Sequence, residues 1–161
     1  KKALNFFGII VITGIAMLTA GCMDRNGIFD QNTEIANRNW AYVNPIKYDV
    51  KVDDAGLPYN LYLNVRVSGD YKYSNLFVLV HISGPQLKPE VRRYEVKLAN
   101  ADGEWRGSGS GNLYSYQVYI KTDYHFPAKG VYHFSIEQNM RDNSLHEVSD
   151  VGLRVEKKVA H

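Results

Sequence analysis

From Trp40 onward, apolar and polar side chains alternate in short runs. Ile46, Tyr48, Val50 and Val52 are separated by Lys47, Asp49 and Lys51. The same period recurs at Leu61, Leu63, Val65 and Val67, at Tyr94, Val96 and Leu98, and at Tyr114, Tyr116, Val118 and Ile120. It returns at Tyr132, Phe134 and Ile136 and at Val151, Leu153 and Val155. A period of two marks strands with one buried face, since successive side chains point to opposite sides of a sheet. Asn75 to Ser83 (NLFVLVHIS) is apolar on both faces, as a central strand would be. Turn-forming clusters separate the runs: Asp53-Asp54-Ala55-Gly56, Ser68-Gly69-Asp70, Ser83-Gly84-Pro85 and Ala101-Asp102-Gly103. The pattern predicts an all-β fold, a single antiparallel β-sandwich of about seven or eight strands over residues 40–157, with 158–161 as a tail. Roughly 120 residues suffice to bury a core. No helical period follows the first segment, Gln138 to His146 offering a single turn at most, and no internal repeat is present.

The first segment reads differently. Lys1 and Lys2 precede an apolar run, ALNFFGIIVITGIAML, and then the small residues Thr19, Ala20 and Gly21 before Cys22. A basic head, a short apolar core and small residues make a secretory signal, and the core is short of the ~20 residues that span a bilayer. Met17 to Cys22 (MLTAGC) resembles the lipobox of bacterial lipoproteins, in which the thiol is acylated and the chain is cut before it. A plain secretory signal and an uncleaved anchor helix are the other readings. No second cysteine exists to pair with Cys22 in an oxidising compartment, and acylation accounts for a lone exported thiol. Residues 1–21 are thus expected to be a signal peptide and Cys22 the membrane anchor, two or three acyl chains holding stably where one does not. Residues 22–39 are polar, with isolated Ile28, Phe29 and Ile35, and read as a lipidated tether able to pack partly onto the domain.

Loss of that leader changes the charge. The full chain has 19 Lys and Arg against 17 Asp and Glu; without Lys1 and Lys2 both counts are 17. A neutral chain has no basic face for nucleic acid, so no nucleic-acid partner is expected.

Motifs for catalysis are sparse. Trp105 to Asn112 (WRGSGSGN) matches neither a nucleophile elbow nor a dinucleotide fingerprint, and reads as a hairpin connection between strands, with a sugar- or peptide-contacting loop as the other reading. His81, His125, His133, His146 and His161 have no metal-site spacing, and no calcium loop is present, so neither metal nor cofactor is expected. Aromatics are the richer signal: twelve Tyr, six Phe and two Trp, with Tyr62, Tyr71, Tyr73 and Tyr119 on outer faces or in turns. Tyrosine suits recognition surfaces through its rigid area and polar tip; cross-strand stiffening is the other use of such residues. Arg66, Tyr71, Tyr73, Trp105 and Arg106 form the candidate partner surface, since Tyr, Trp and Arg dominate interface energetics. Trp105 is equally readable as a core residue.

Several segments, taken in order, resemble the gliding-motility lipoproteins called GldH of the Bacteroidota. They are Pro58 to Arg66 (PYNLYLNVR), Tyr71 to Phe77 (YKYSNLF), Asp102 to Gly109 (DGEWRGSG), Gly130 to Phe134 (GVYHF) with Gln138 to Arg141 (QNMR), and Asp150 to Glu156 (DVGLRVE). The set spans nearly all of residues 40–157; His146-Glu147 stands where a glycine is expected, and the segment before Leu98 is more basic. The resemblance implies a non-enzymatic accessory of the gliding machinery and its type IX secretion system, with envelope proteins as partners and no catalytic residue to carry over. Met23-Asp24-Arg25-Asn26-Gly27 lacks the acidic run that marks surface-exported lipoproteins of that phylum. An outer-membrane anchor facing the periplasm is therefore expected. A sandwich also permits a carbohydrate-binding lipoprotein that stacks sugars on Tyr and Trp.

Overall fold

The structure, a computed structural model, describes residues 24–159. The signal peptide and the acylation expected at Cys22 lie outside the described residues. Eight strands of seven or more residues build the fold: β1 Gly27–Glu34, β3 Ile46–Val52, β4 Tyr59–Ser68, β5 Asn75–Gly84, β6 Leu87–Lys97, β8 Leu113–Tyr124, β9 Gly130–Gln138 and β11 Val148–Lys157. Three short pieces, β2 Asn39–Trp40, β7 Ser108–Ser110 and β10 Leu145–His146, bring the total above the number expected. Among the described residues, no helix is long and apolar enough to cross a membrane.

Two antiparallel sheets face each other. One has the order β1-β11-β4-β8-β7, the other β3-β9-β5-β6, and β2 pairs with β10 beside them. The alternation read from the sequence does this directly. In β3 every second residue, from Ile46 to Val52, is buried, and in β9 Tyr132, Phe134 and Ile136 are buried while Val131 and His133 are exposed. Leu61, Leu63, Val65 and Val67 of β4 join Val151, Leu153 and Val155 of β11 on the inner face of the first sheet. The second sheet supplies Val50, Leu76, Val78, Val80, Phe134 and Ile136 to the same core. Burying such side chains gives about 1.5–3 kcal/mol each, the dominant favourable term in folding.

Residues 22–39 read as a tether able to pack partly onto the domain; from Gly27 the structure makes this stretch a strand. Asp30 pairs with Arg154 and Thr33 with Val151, making β1 an edge strand of the first sheet. Phe29 packs edge-on against Tyr48 at 5.4 Å, and the Tyr48 hydroxyl donates to the Val151 carbonyl at 2.9 Å while bonded to Thr33 Oγ1 at 2.8 Å. These contacts close one side of the sandwich. A strand with one water-facing edge and a polar outer face shows weak alternation, which is why the sequence hid it.

The loops gather at two ends. The near end holds Asp24–Asn26, the β3–β4 loop, the β5–β6 turn, the β8–β9 loop and Lys157–Val159. Hydrogen bonds from the Lys157 amide to Asn26 and from the Lys158 amide to Pro58 tie it together (2.8 and 2.9 Å). Its core is capped by Phe126, whose ring lies 5.3, 4.9 and 4.5 Å from those of Tyr59, Tyr124 and Tyr132. The far end holds the β4–β5 loop, the long β6–β8 connection and residues 139–147, with Trp40 and Leu145 buried between them.

Candidate functional site

The outer face of the first sheet is built from the polar half of each alternation. Register places Asp30, Arg154, Tyr62 and Tyr119 in one cross-strand row, and Asn32, Gly152, Asn64 and Gln117 in the next. Glu34, Asp150, Arg66 and Ser115 form a third. A Cβ on Gly152 would fall 1.9 Å from Asn32 Oδ1, so the glycine lets the Asn32 amide lie across the sheet. Gln117 Nε2 donates to Asn64 Oδ1 at 2.9 Å, and Arg66 Nε lies 3.2 Å from Asp150 Oδ2. The second and third rows enclose a polar groove of about 390 Å3.

Arg154 is the hub of the first row. Its guanidinium donates to Asp30 at 2.8 Å, to Glu156 at 2.7 Å and to Asp24. Hydrogen bonds to Asp24 first, and to Glu156 next, hold this guanidinium well above its ordinary value. The same bond, with the Asn26 and Gly27 amides, holds the Asp24 carboxyl below its own. Tyr62 donates to Glu156 at 2.5 Å, and burial, followed by that acceptor, pushes its phenol upward. Tyr119 tilts against Tyr62 at 4.4 Å and is 58% exposed.

The five residues expected to form a partner surface fall in three places. Arg66 lies on the outer face, over the groove. Trp105 is half-buried and stacked on Tyr114 at 5.3 Å and 25°, where Ala99 bridges to it. Arg106 is exposed in a second groove, of about 600 Å3, between β6 and β8. Ser108, Ser115 and Gln117 form a wall common to both grooves, which brings Arg66 and Arg106 to opposite sides of the β7–β8 hairpin. This hairpin is what the glycine-rich stretch makes, turning at Gly111 with φ 61°. Lys121 of β8 reaches Glu90 of β6, 2.6 Å away, and links the two sheets.

Tyr71 and Tyr73 lie elsewhere. The expectation of an exposed Tyr71 is corrected: it is 5% exposed, donates to the Asn75 carbonyl at 3.0 Å, and burial pushes its phenol upward. Its flanking turn residues, Asp70 and Lys72, made it read as a surface residue, while the ring plugs the far end of the core. Tyr73 meets Tyr71 edge-on at 6.0 Å and donates to Asp142 at 2.5 Å, the bond that chiefly holds the Asp142 carboxyl low. It borders a cleft of about 310 Å3 where Arg93 stacks 3.7 Å over Phe77 and donates to Asn139 at 2.9 Å.

Histidines meet carboxylates only in pairs. His133 Nδ1 lies 2.6 Å from Asp49, and His81 Nε2 lies 3.5 Å from Glu137. Among the described residues no group of three His, Cys, Asp or Glu side chains is arranged to hold a metal ion. The Arg154 hub escaped sequence reasoning because two of its carboxylates, Asp24 and Asp30, lie in the stretch read as a tether. The outward-pointing Arg154 and Glu156 were its only sequence signal.

Fold and surface together define a two-sheet β-sandwich with polar grooves on its outer face and along one edge. The profile of the GldH lipoprotein family matches residues 27–155, and the chain belongs to that family. It is 30% identical to a gliding motility lipoprotein GldH homolog of Christiangramia forsetii, over 94% of this chain and 96% of that protein. It is likewise 30% identical to the gliding motility lipoprotein GldH of Flavobacterium johnsoniae, with the same coverage of both. The family resemblance read from the segments is thereby confirmed.

Proposed function

We propose that this chain is a lipid-anchored, non-enzymatic accessory of the gliding-motility machinery and its type IX secretion system. Fatty-acyl chains of the palmitate class on Cys22 would hold it in the outer membrane, with the sandwich on the periplasmic side and envelope proteins as partners. The observation that carries this reading is the family match over 27–155, together with similarity along the whole length of a protein named for gliding motility. The surface chemistry supports it. Arg66 is paired with Asp150 and Arg154 with three carboxylates, and of these the Asp24 carboxyl, held low by the Arg154 guanidinium, is a poor proton carrier near neutral pH. Trp105, Arg106 and Arg66 present the residue types that anchor protein interfaces. The test is a deletion strain scored for colony spreading and for secretion of type IX substrates, complemented with wild-type and Cys22→Ala genes. Loss of both traits, restored only by the acylatable form, is expected; a deletion strain that spreads and secretes normally overturns the reading.

A carbohydrate-binding lipoprotein is the second reading. Planar amides and carboxylates of Asn32, Asn64, Gln117 and Asp30 line the 390 Å3 groove, a chemistry that matches sugar hydroxyls. Glycan-array binding lost in Asn64→Ala would favour it over the protein-partner reading.

A further inference from the structure

We infer that the near end of the sandwich is a membrane seat. The surface it rests on is the anionic phospholipid leaflet that receives the acyl chains of Cys22, so the inference depends on the acylation proposed above. One residue, Met23, separates Cys22 from Asp24, and the two residue steps span at most about 7 Å when fully extended. Asp24 is not free to drift from the domain. Arg154 holds its carboxylate, and the Asn26 and Gly27 amides donate to the same side chain at 3.2 Å each. The Lys157 amide fixes Asn26 in turn. An acylated Cys22 would therefore bring the near end to the headgroups without a flexible spacer between them.

The chemistry of that end suits such a surface. Of the seven large apolar side chains exposed among the described residues, Leu57, Tyr119, Val131 and Val159 are here; Tyr42, Val43 and Val91 are not. Three of its acids are paired, Asp24 with Arg154, Asp53 with Lys51 and Asp123 with Lys158, while exposed Asp54 accepts only from the Gly56 amide. Arg25, Lys88, Lys129 and Lys157 have no ion-pair partner among the described residues; set against Asp54 and the two further carboxylates on Arg154, Asp30 and Glu156, they leave this end a slight positive excess. Basic side chains interleaved with aromatic and aliphatic ones, on a domain already tethered by lipid, are the composition of an interfacial contact.

The seat is tested on the full-length, membrane-extracted protein in vesicles of phosphatidylethanolamine and phosphatidylglycerol. Fluorophores are placed at His125→Cys, on the near end, and at Ser110→Cys, on the far end, and quenched by lipids with nitroxide on the headgroup. Several-fold stronger quenching at 125 than at 110 is expected. In the exposed Asp24→Ala variant that contrast should shrink while vesicle flotation is retained, because the clamp is lost and the anchor is not. Equal quenching at both positions in protein whose mass shows acyl chains overturns the seat alone. Protein without acyl mass overturns the Cys22 reading, and the seat with it.

Discussion

The two ends of the sandwich are finished in different ways. At the near end the core is sealed by aromatic rings, Tyr59, Tyr124 and Tyr132 around Phe126, and the hydroxyls of Tyr59 and Tyr132 are satisfied locally. Tyr132 bonds to the Pro85 and Ala128 carbonyls and Tyr59 to that of Asp54. At the far end Trp40 and Tyr71 are buried as well, but further aromatics lie partly open: Trp105 on Tyr114, and Tyr73 over its cleft beside Phe77. The near end is closed by short turns, the far end by the long β6–β8 connection and residues 139–147. Rings spent on sealing the core are unavailable for recognition, whereas half-buried rings on long loops keep a face for a partner. The comparison suggests a division of labour, with docking to the envelope at one end and binding at the other.

The sharpest way to break that contrast is to remove its centrepiece. Phe126 is 2% exposed and touches three rings. Phe126→Ala is expected to cost ~3–5 kcal/mol and lower the melting temperature by ~10–20 °C. A small shift in calorimetry would show the near end to be looser than its packing implies.

Arg154→Met comes next, since it leaves Asp24, Asp30 and Glu156 facing one another. A network of partly exposed charges is worth about 1–2 kcal/mol at neutral pH and low salt, read by urea unfolding. The pH dependence carries a sign. The Asp24 carboxyl is held below its ordinary value of 3.8, so its contribution is present above that pH and disappears as acid titrates the folded form. Wild type should therefore lose stability below about pH 4 more steeply than Arg154→Met; parallel acid curves would dissociate Asp24 from the clamp.

How far the sequence revealed these features depends on burial. Strands with one face in the core, β3, β9 and β11 above all, were legible because every second side chain is apolar. The glycine-rich stretch was legible as a hairpin because Gly111 supplies the positive φ of its turn. The first half of β6 (Leu87 to Arg93, with Pro89 and adjacent arginines) hid because it is a free edge, where proline is tolerated and packing demands little. Tyr71 and Tyr73 sit two positions apart in one loop, and nothing local announces that the first fills the core while the second reaches Asp142. The Arg154 hub joins the two termini of the domain, so only tertiary structure assembles it.

At the far end, Trp105→Ala is expected to cost about 1–2 kcal/mol, from a stacked ring pair with partial burial. Partner recovery in a pull-down should fall much further. A loss as large as that of Phe126→Ala would make Trp105 a core residue and shift binding to Arg66 and Arg106.

The smallest effect belongs to Tyr124. Its hydroxyl is buried without a hydrogen-bond partner, and burial, then nearby Glu90, pushes its phenol up to about 12. Tyr124→Phe should be neutral or stabilising by up to ~1 kcal/mol, because an unsatisfied group is removed. A raised phenol stabilises fully below its unfolded value near 10 and is lost as pH climbs through 12. The variant should therefore hold its melting temperature better across that window.

The pairing of the first strand with the last also sets an order in time. Gly27 pairs with Glu156 and Glu34 with Asp150, so β1 has no partner until nearly the whole chain has been synthesised and exported. Until then Gly27–Glu34 is an unpaired segment, and the stretch before it is open to any enzyme that acts on that end. When β11 arrives, the final pairing joins the first and last strands of the sandwich in one step, and contacts so distant in sequence make that step slow. Maturation at the amino terminus and completion of the fold are thereby separated, the first having its opportunity before the second can occur.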